Sequence, residues 1–372
     1  MDSYVDARKY VKEDAGVKVD VSVIIPVHNG ATWLDACLAS VEQQQLQQNG
    51  AVLMVEVSLF LDSCTDASET VVQQWIPPLQ RKGCCVTLTT EHNSSPRGVL
   101  LSCTVGYAKN RAVEQSRGEF LCFLDADDVM MPTRIRKQYE LACKASNAIV
   151  GCRFVRDPPE STVRFTRWAN TLTQEQLQLQ VFMSHGPTVI MPTWFCHRRV
   201  FDHVGGFSEE GAGTPEDLIF FFHHLRLRGK VLRHDDELLV YRYHPQATTF
   251  SIDEQTIWDL RMKELEARVL CSWEAFTIWN AGKQGRKFYR SLSKEAQRKV
   301  VAFCDVDAKK INSFYTYEES LERPKPKVPI VHFTEARPPL VICMKLELTG
   351  GKFEENLASL KLEEGKDYHL FN

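Results

Sequence analysis

Three carboxylates crowd into four positions at Asp125-Ala126-Asp127-Asp128, directly after the apolar run Phe120-Leu121-Cys122-Phe123-Leu124. Such a run reads as a short buried strand, and open α/β sheets bind their ligands beyond the carboxyl ends of the strands. Ionised carboxylates gathered there are costly unless they are paired or hold a metal. Hard oxygen donors suit Mg²⁺ or Mn²⁺, ions that bridge substrate phosphates. An Asp-rich turn capping a helix that starts near Pro132 accounts for the same residues equally well. A second acidic pair, Glu216-Asp217, stands where a helix is expected to begin. Adjacent carboxylates repel, which raises one pKa toward a value useful in a general base. Compensation of the helix dipole is the competing explanation.

The elements that must position these acids alternate along the chain. A β-branched run over 20–27, closed by Pro26, reads as a first strand, and 32–47 as a helix with apolar residues at helical spacing. A second strand over 53–61 ends in Asp62-Ser63-Cys64-Thr65-Asp66. A helix over 68–76 is expected to stop at Pro77-Pro78, followed by a strand over 85–89, a helix over 106–116 and the strand that ends at Asp125. This βαβα order predicts an α/β fold with a mainly parallel sheet covered on both faces. The pattern weakens from 149 to 192, with a helix expected over 173–183. Gly205-Gly206-Phe207 marks a turn, 216–228 a helix closed by Gly229, and 231–243 a strand. An amphipathic helix over 253–277 reads as a connector.

Beyond it lies strand, Gly-containing loop, helix, strand, acid: 275–279, Asn280-Ala281-Gly282-Lys283-Gln284-Gly285, a helix from Arg286, and 299–303 leading to Asp305-Val306-Asp307. That is the order of a dinucleotide-binding unit with Asn280 in place of the first glycine. A further strand is expected over 338–344 and a closing helix over 352–360. The organisation predicted is an extension over 1–19, a first α/β domain over 20–250, a helical connector over 251–273 and a smaller Rossmann-like α/β domain over 274–372.

The 372 residues are 44% hydrophobic and 25% charged, the composition of an ordinary globular protein. A net charge of −3 gives no electrostatic case for nucleic acid or an acidic membrane surface. The 12 cysteines include no CxxC pair and no Cys/His set with zinc spacing. Residues 1–20 lack an apolar core of the secretory type, and no stretch of about 18 apolar residues occurs, so no membrane span and a cytoplasmic location are expected.

Four features in order, Val23-Ile24-Ile25-Pro26-Val27-His28-Asn29, the Asp62 segment, Gly106-Tyr107-Ala108-Lys109-Asn110-Arg111-Ala112 leading to the Asp cluster, and Gly205-Gly206-Phe207 followed by Pro215-Glu216-Asp217, resemble glycosyltransferase family 2. The resemblance covers about the first two-thirds of the chain and implies inverting enzymes with a GT-A fold, a UDP-sugar donor and Mn²⁺ or Mg²⁺ as cofactor. It places Pro26, His28 and Asn29 at the nucleotide base and Asp62 at the uracil ring. Lys109-Asn110 stands in the family's Ala-Arg-Asn segment, where a lysine cannot reproduce bidentate arginine. Asp125 would meet the ribose or the metal, Asp127 the metal on the diphosphate, and Asp128 would support or cap. Glu216-Asp217 matches the family's Glu-Asp pair, with Asp217 as general base. Tyr241-Arg242-Tyr243-His244 resembles the Tyr-Arg-x-His segment, which makes His244 a candidate metal or diphosphate ligand. The second domain resembles the small Rossmann-like domain of some bacterial sugar acyltransferases.

The expected activity is metal-dependent transfer of a sugar, with N-acetylglucosamine the candidate, from a UDP-sugar to the hydroxyl of an unknown acceptor. The alternative is a catalytically idle nucleotide-sugar-binding or scaffold protein. A nucleotidyltransferase shares the metal geometry, but the first strand is not followed by the Gly-rich phosphate loop it would need.

Overall fold

The computed structural model describes residues 18–48, 50–91, 104–211, 213–245, 247 and 251–372, so nearly all of the expected 1–19 extension lies outside the described residues. The chain forms two compact units, one of Met1–Leu177 with Gly186–Asp253 and one of Gln178–His185 with Glu254–Asn372.

In chain order the first unit contains β1 (Val21–Val27), α1 (Ala31–Glu42), a small hairpin of β2 (Gln47–Gln48) and β3 (Ala51–Val52), β4 (Val55–Asp62), α2 (Ser68–Arg81), β5 (Cys85–Glu91), α3 (Val105–Glu114) and β6 (Phe120–Phe123). There follow β7 (Val129–Met130), α4 (Arg134–Lys144), β8 (Ala148–Asp157), α5 (Val163–Thr171), a one-turn helix α6 (Gln176–Leu179) that leads out of the unit, β9 (Phe195–His197), α7 (Arg198–Val204), α8 (Glu216–Arg226) and β10 (Lys230–Arg242). Eight strands make one sheet in the order β5-β4-β1-β6-β9-β8-β10-β7.

Strands β5, β4, β1 and β6 run parallel, as the βαβα reading requires. Val and Ile fill five of the seven positions of β1, while in β4 Val and Leu alternate with Glu56, Ser58, Phe60 and Asp62, and all eight β4 residues are buried. Their register pairs Val27 with Leu61 and Ile24 with Phe123, so His28, Asp62 and Asp125 leave the sheet at one edge. The antiparallel β9, between β6 and β8, was not foreseen. Three residues are too few to show a period of two.

Two expected boundaries fail for physical reasons. Helix α2 continues through Pro77 and Pro78 to Arg81 instead of stopping. Proline φ is itself helical, the Pro78 carbonyl still accepts from the Lys82 N–H at 3.0 Å, and buried Leu79 holds the last turn to the core. The helix expected over 173–183 is a single turn, because residues 178–185 pass into the second unit, where Phe182 is 2% exposed.

The second unit contains α9 (Glu254–Arg268), β11 (Phe276–Trp279), α10 (Lys283–Ser291), α11 (Lys294–Arg298), β12 (Val300–Asp305), β13 (Ser313–Thr316), β14 (Lys327–His332), β15 (Leu340–Ile342), α12 (Lys352–Ser359) and β16 (Tyr368–Leu370). The helix read as a connector groups with this unit. The sheet order is β13-β14-β12-β11-β15-β16, parallel except for the edge strand β13. Trp279, Cys304, Leu340, Ile342, Phe353 and Leu370 pack on one face of it.

Candidate active site

The carboxyl ends of β1 and β4 are laced together by the side chains that follow them. His28 Nδ1 lies 2.7 Å from the Asp62 carbonyl, which can only accept, so Nδ1 carries the proton. Nε2 is then an acceptor, and the Asn29 amide donates to it at 3.3 Å. Asn29 adopts φ +50°, a left-handed angle that Asn tolerates better than most residues. Its Oδ1 accepts from the Thr65 N–H at 2.8 Å, and Asp66 accepts from the Ala31 N–H at 3.0 Å. Pro26 sits near the end of β1, half-buried beside Phe60 of β4. The Asp62 side chain is 2% exposed, and its Oδ1 has no hydrogen-bond partner. A buried acceptor left in that state is costly unless a ligand supplies the donor.

The acidic cluster follows β6. Oxygens of Asp125, Asp127 and Asp128 lie within 4.8 Å of one another, a hard donor set suited to a divalent cation. Asp128 is fully buried, and burial, with the charges of Asp127 and Asp125, raises its carboxyl well above the usual range. Its Oδ1 accepts from the Arg242 N–H at 2.9 Å while Oδ2 has no hydrogen-bond partner. The supporting role expected for Asp128 is thus joined by an orphaned oxygen that fits a cation. His244 Nε2 approaches Asp127 Oδ2 to 2.8 Å, and its ring stacks on Trp33 at 4.9 Å. The Arg242 guanidinium lies 5.3 Å from the Trp33 ring and donates to the Asp127 carbonyl at 3.1 Å.

Lys109 joins this cluster to the second acidic pair. It is 3% exposed, and its Nζ meets Glu216 Oε1 at 2.7 Å. Burial pulls its pKa down, but the carboxylates of Glu216, Asp125 and Asp217 outweigh burial and hold it above the ordinary value. Lys109 pairs directly with Glu216, and Asp217 is the other member of the acidic pair. Burial is the main cause that lifts Asp217 to about 7, with the Glu216 charge second and Lys109 opposing. Repulsion within the pair, the cause expected from sequence, is therefore the smaller effect. Asp125 rises to about 6 through burial, with Lys109 opposing and Asp127 and Glu216 adding to the rise.

Asn110 faces away from these charges. Its Oδ1 accepts the Phe207 N–H at 2.9 Å and its Nδ2 donates to the Phe207 carbonyl at 2.9 Å, which clamps the loop after Gly205-Gly206. Gly106 allows the same approach, since a Cβ there would stand 2.1 Å from the Ser208 carbonyl oxygen. Behind β6, fully buried Arg134 donates to the Phe123 carbonyl at 2.8 Å and to Gln138 at 2.9 Å. Sequence reasoning missed Trp33, Arg134 and Gln138. Trp33 sits at core spacing in α1, and a lone Arg in a first turn carries no mark of burial.

Residues 22–205 match the family described as Glycosyl transferase family 2. The chain is 24% identical over 239 residues to the uncharacterized glycosyltransferase EpsJ of Bacillus subtilis (strain 168), covering 62% of this chain and 62% of that protein. It is 25% identical over 260 residues to the uncharacterized glycosyltransferase RT0329 of Rickettsia typhi (strain ATCC VR-144 / Wilmington), covering 66% of this chain and 72% of that one. It thus spans less than two thirds of EpsJ. The crystal structure of S. aureus TarS aligns with TM-score 0.50 and 15% identity over 76% of this chain and 51% of that chain. TarS 1–349 aligns with TM-score 0.50 and 13% identity over 84% and 100%. The fold is α/β, as the residue pattern predicts, and of the GT-A type, as the family resemblance implies. Among the described residues no helix is long and apolar enough to cross a membrane.

Proposed function

We propose that the glycosyltransferase family 2 domain of this chain transfers a sugar from a UDP-sugar to an acceptor hydroxyl with inversion, and that UDP-N-acetylglucosamine is the first donor to test. One observation carries the reading: Lys109 gathers Asp125, Glu216 and Asp217 around a single buried charge and pairs directly with Glu216, while burial and the Glu216 charge lift Asp217 to about 7. A base with a pKa near the operating pH combines adequate ionisation with proton affinity. In the reaction the acceptor oxygen attacks the anomeric carbon, the bond to the nucleoside diphosphate breaks, and the acceptor proton passes to Asp217.

Asp62 Oδ1 supplies the acceptor for a base N–H, and the His28–Asn29 lacing fixes the loop beside it. A bound Mn²⁺ or Mg²⁺, held by Asp127 and Asp125 with His244 alongside, would offset charge on the departing diphosphate. The second unit is proposed to be non-catalytic. Its loop resembles a phosphate cradle, but the Ala281 N–H is taken by Asp305 Oδ2 at 3.0 Å and the Gly282 N–H by Asn280 Oδ1 at 2.7 Å.

Calorimetry with UDP in Mn²⁺, in Mg²⁺ and in chelator, together with UDP release from a panel of UDP- and GDP-sugars, tests the proposal. Asp217→Asn should slow UDP release by roughly 100- to 10,000-fold while UDP affinity is kept. A folded chain that binds no UDP in either metal would sink the reading. Binding without turnover of any donor would leave the idle nucleotide-sugar binder.

A further inference from the structure

Helix α1 sends Leu34, Cys37, Leu38 and Val41 into the hydrophobic core. Trp33, on the same helix, is not among the residues of that core and stays partly exposed. An indole kept out of the core forgoes the burial that makes tryptophan valuable in folding, so its place calls for another account. Among the described residues its ring meets two groups, and both belong to residues 242–244 at the end of β10. The His244 imidazole stacks on it with centroids 4.9 Å and planes 27° apart, and the Arg242 guanidinium lies 5.3 Å from its centroid.

Each of those groups is joined in turn to the acidic cluster. His244 Nε2 stands 2.8 Å from Asp127 Oδ2. Arg242 donates from Nη1 to the Asp127 carbonyl at 3.1 Å and from its backbone N–H to Asp128 Oδ1 at 2.9 Å. The Trp33 N–H donates to the Gly30 carbonyl at 2.9 Å, directly after His28 and Asn29. One residue thus links the loop proposed for the nucleotide base to the cluster proposed for the metal. An imidazole just past the end of a strand has several rotamers open to it, and a flat partner at stacking distance selects one. The same ring offers Arg242 a cation–π contact. Partners that orient the groups around a metal in this way commonly cost about 10- to 100-fold in metal affinity when removed.

We propose that Trp33 is a positioning residue of the donor site: by stacking on His244 and lying against Arg242 it holds the imidazole at Asp127, and so sets how strongly a divalent metal tightens the grip on UDP. The inference rests on the transferase reading above and adds to it a residue that touches neither the metal nor the sugar.

The test is calorimetry of the full chain with UDP, in Mn²⁺ and in chelator. Trp33→Ala should weaken UDP binding about tenfold in Mn²⁺ and leave it unchanged in chelator. Trp33→Leu, apolar but without a ring face, should be as weak as alanine, whereas Trp33→Phe should return to within about twofold of the parent. Should the alanine variant fail to fold, leucine against phenylalanine carries the test. His244→Ala should cost about the same tenfold, and the double variant Trp33→Ala with His244→Ala no more than either alone, because the two act as a unit. Losses that multiply to about a hundredfold would overturn the inference, since Trp33 would then act on something other than His244. So would leucine matching phenylalanine, or a loss equal in Mn²⁺ and in chelator, the result of a disturbed β1–α1 loop. A parent with the same UDP affinity in both solutions sinks the metal-dependent transferase reading and this one with it. Metal-dependent binding in the parent and an unaltered Trp33→Ala variant overturns this inference alone.

Discussion

Asp217 makes the proposed chemistry sensitive to pH in a direction that can be worked out. A base must be ionised, and this one ionises near 7 instead of near 4. Transfer should therefore climb close to tenfold per pH unit below about 7 and level off above it, whereas an ordinary aspartate would give a flat profile from pH 5 upward. Stability runs the other way. Between the unfolded value of 3.8 and the folded value of about 7 the native state holds the proton more tightly, so stability is full at the acid end and declines as pH rises through that window. Melting temperature against pH should fall over this interval in the parent and fall less in Asp217→Asn. Lys109 offers a second test at this scale. Lys109→Met leaves Glu216 in a largely buried place without its cation, and a loss of about 3 kcal/mol in denaturant unfolding is expected. Lys109→Met combined with Glu216→Gln should recover most of it. Equal destabilisation of the single and double variants would mean that packing, not charge, holds the pair.

At the scale of elements, the site depends on α3 lying hard against the loop that follows α7. Gly106→Ala would drive a methyl to within 2.1 Å of the Ser208 carbonyl, and backbone cannot yield cheaply there. A loss of about 2 kcal/mol and a fall in transfer larger than the fall in UDP affinity are expected, because Lys109 and Asn110 ride on the same helix. Unfolding and kinetics that match the parent would remove the argument. What the sequence makes legible and what it hides divide along a physical line. Strand ends marked by acids could be read, since alternation of apolar run and carboxylate is local. That Asn110 clamps Phe207 could not, because the partner lies 97 positions away and no local pattern encodes it. Helix α2 shows the converse failure, a strong local stop signal overridden by the packing of Leu79.

Among the described residues the two large sheets have separate cores, yet the chain does not divide at one point. Residues 178–185 belong with the unit that otherwise begins at Glu254. Within that unit Arg261 Nη1 donates to the carbonyls of Phe182 and Ser184 at 3.0 and 3.3 Å, and Phe182 stacks on Phe371 at 6.4 Å. A chain ended after Asp253 strips these partners from Val181 and Phe182, each 2% exposed in the whole protein. Such a chain should keep UDP binding in calorimetry but aggregate on concentration in light scattering. Replacing Val181 and Phe182 by serine in the shortened chain should restore its dispersity. No change on that replacement would point to another bared surface.

The same path sets a schedule for synthesis. A ribosome releases residues 178–185 long before the strand and helix that will receive them have been made. The Phe182 carbonyl waits for the Asn372 N–H about 190 positions later, and at about 5–20 residues per second that is an interval of roughly 10–40 s. The first sheet needs nothing beyond β10 and can close in that time, while the short greasy segment 178–185 stays unclaimed. Until residues 254–372 have been made, the chain carries one finished unit and one sticky loop in waiting, the interval in which a holding chaperone would matter most.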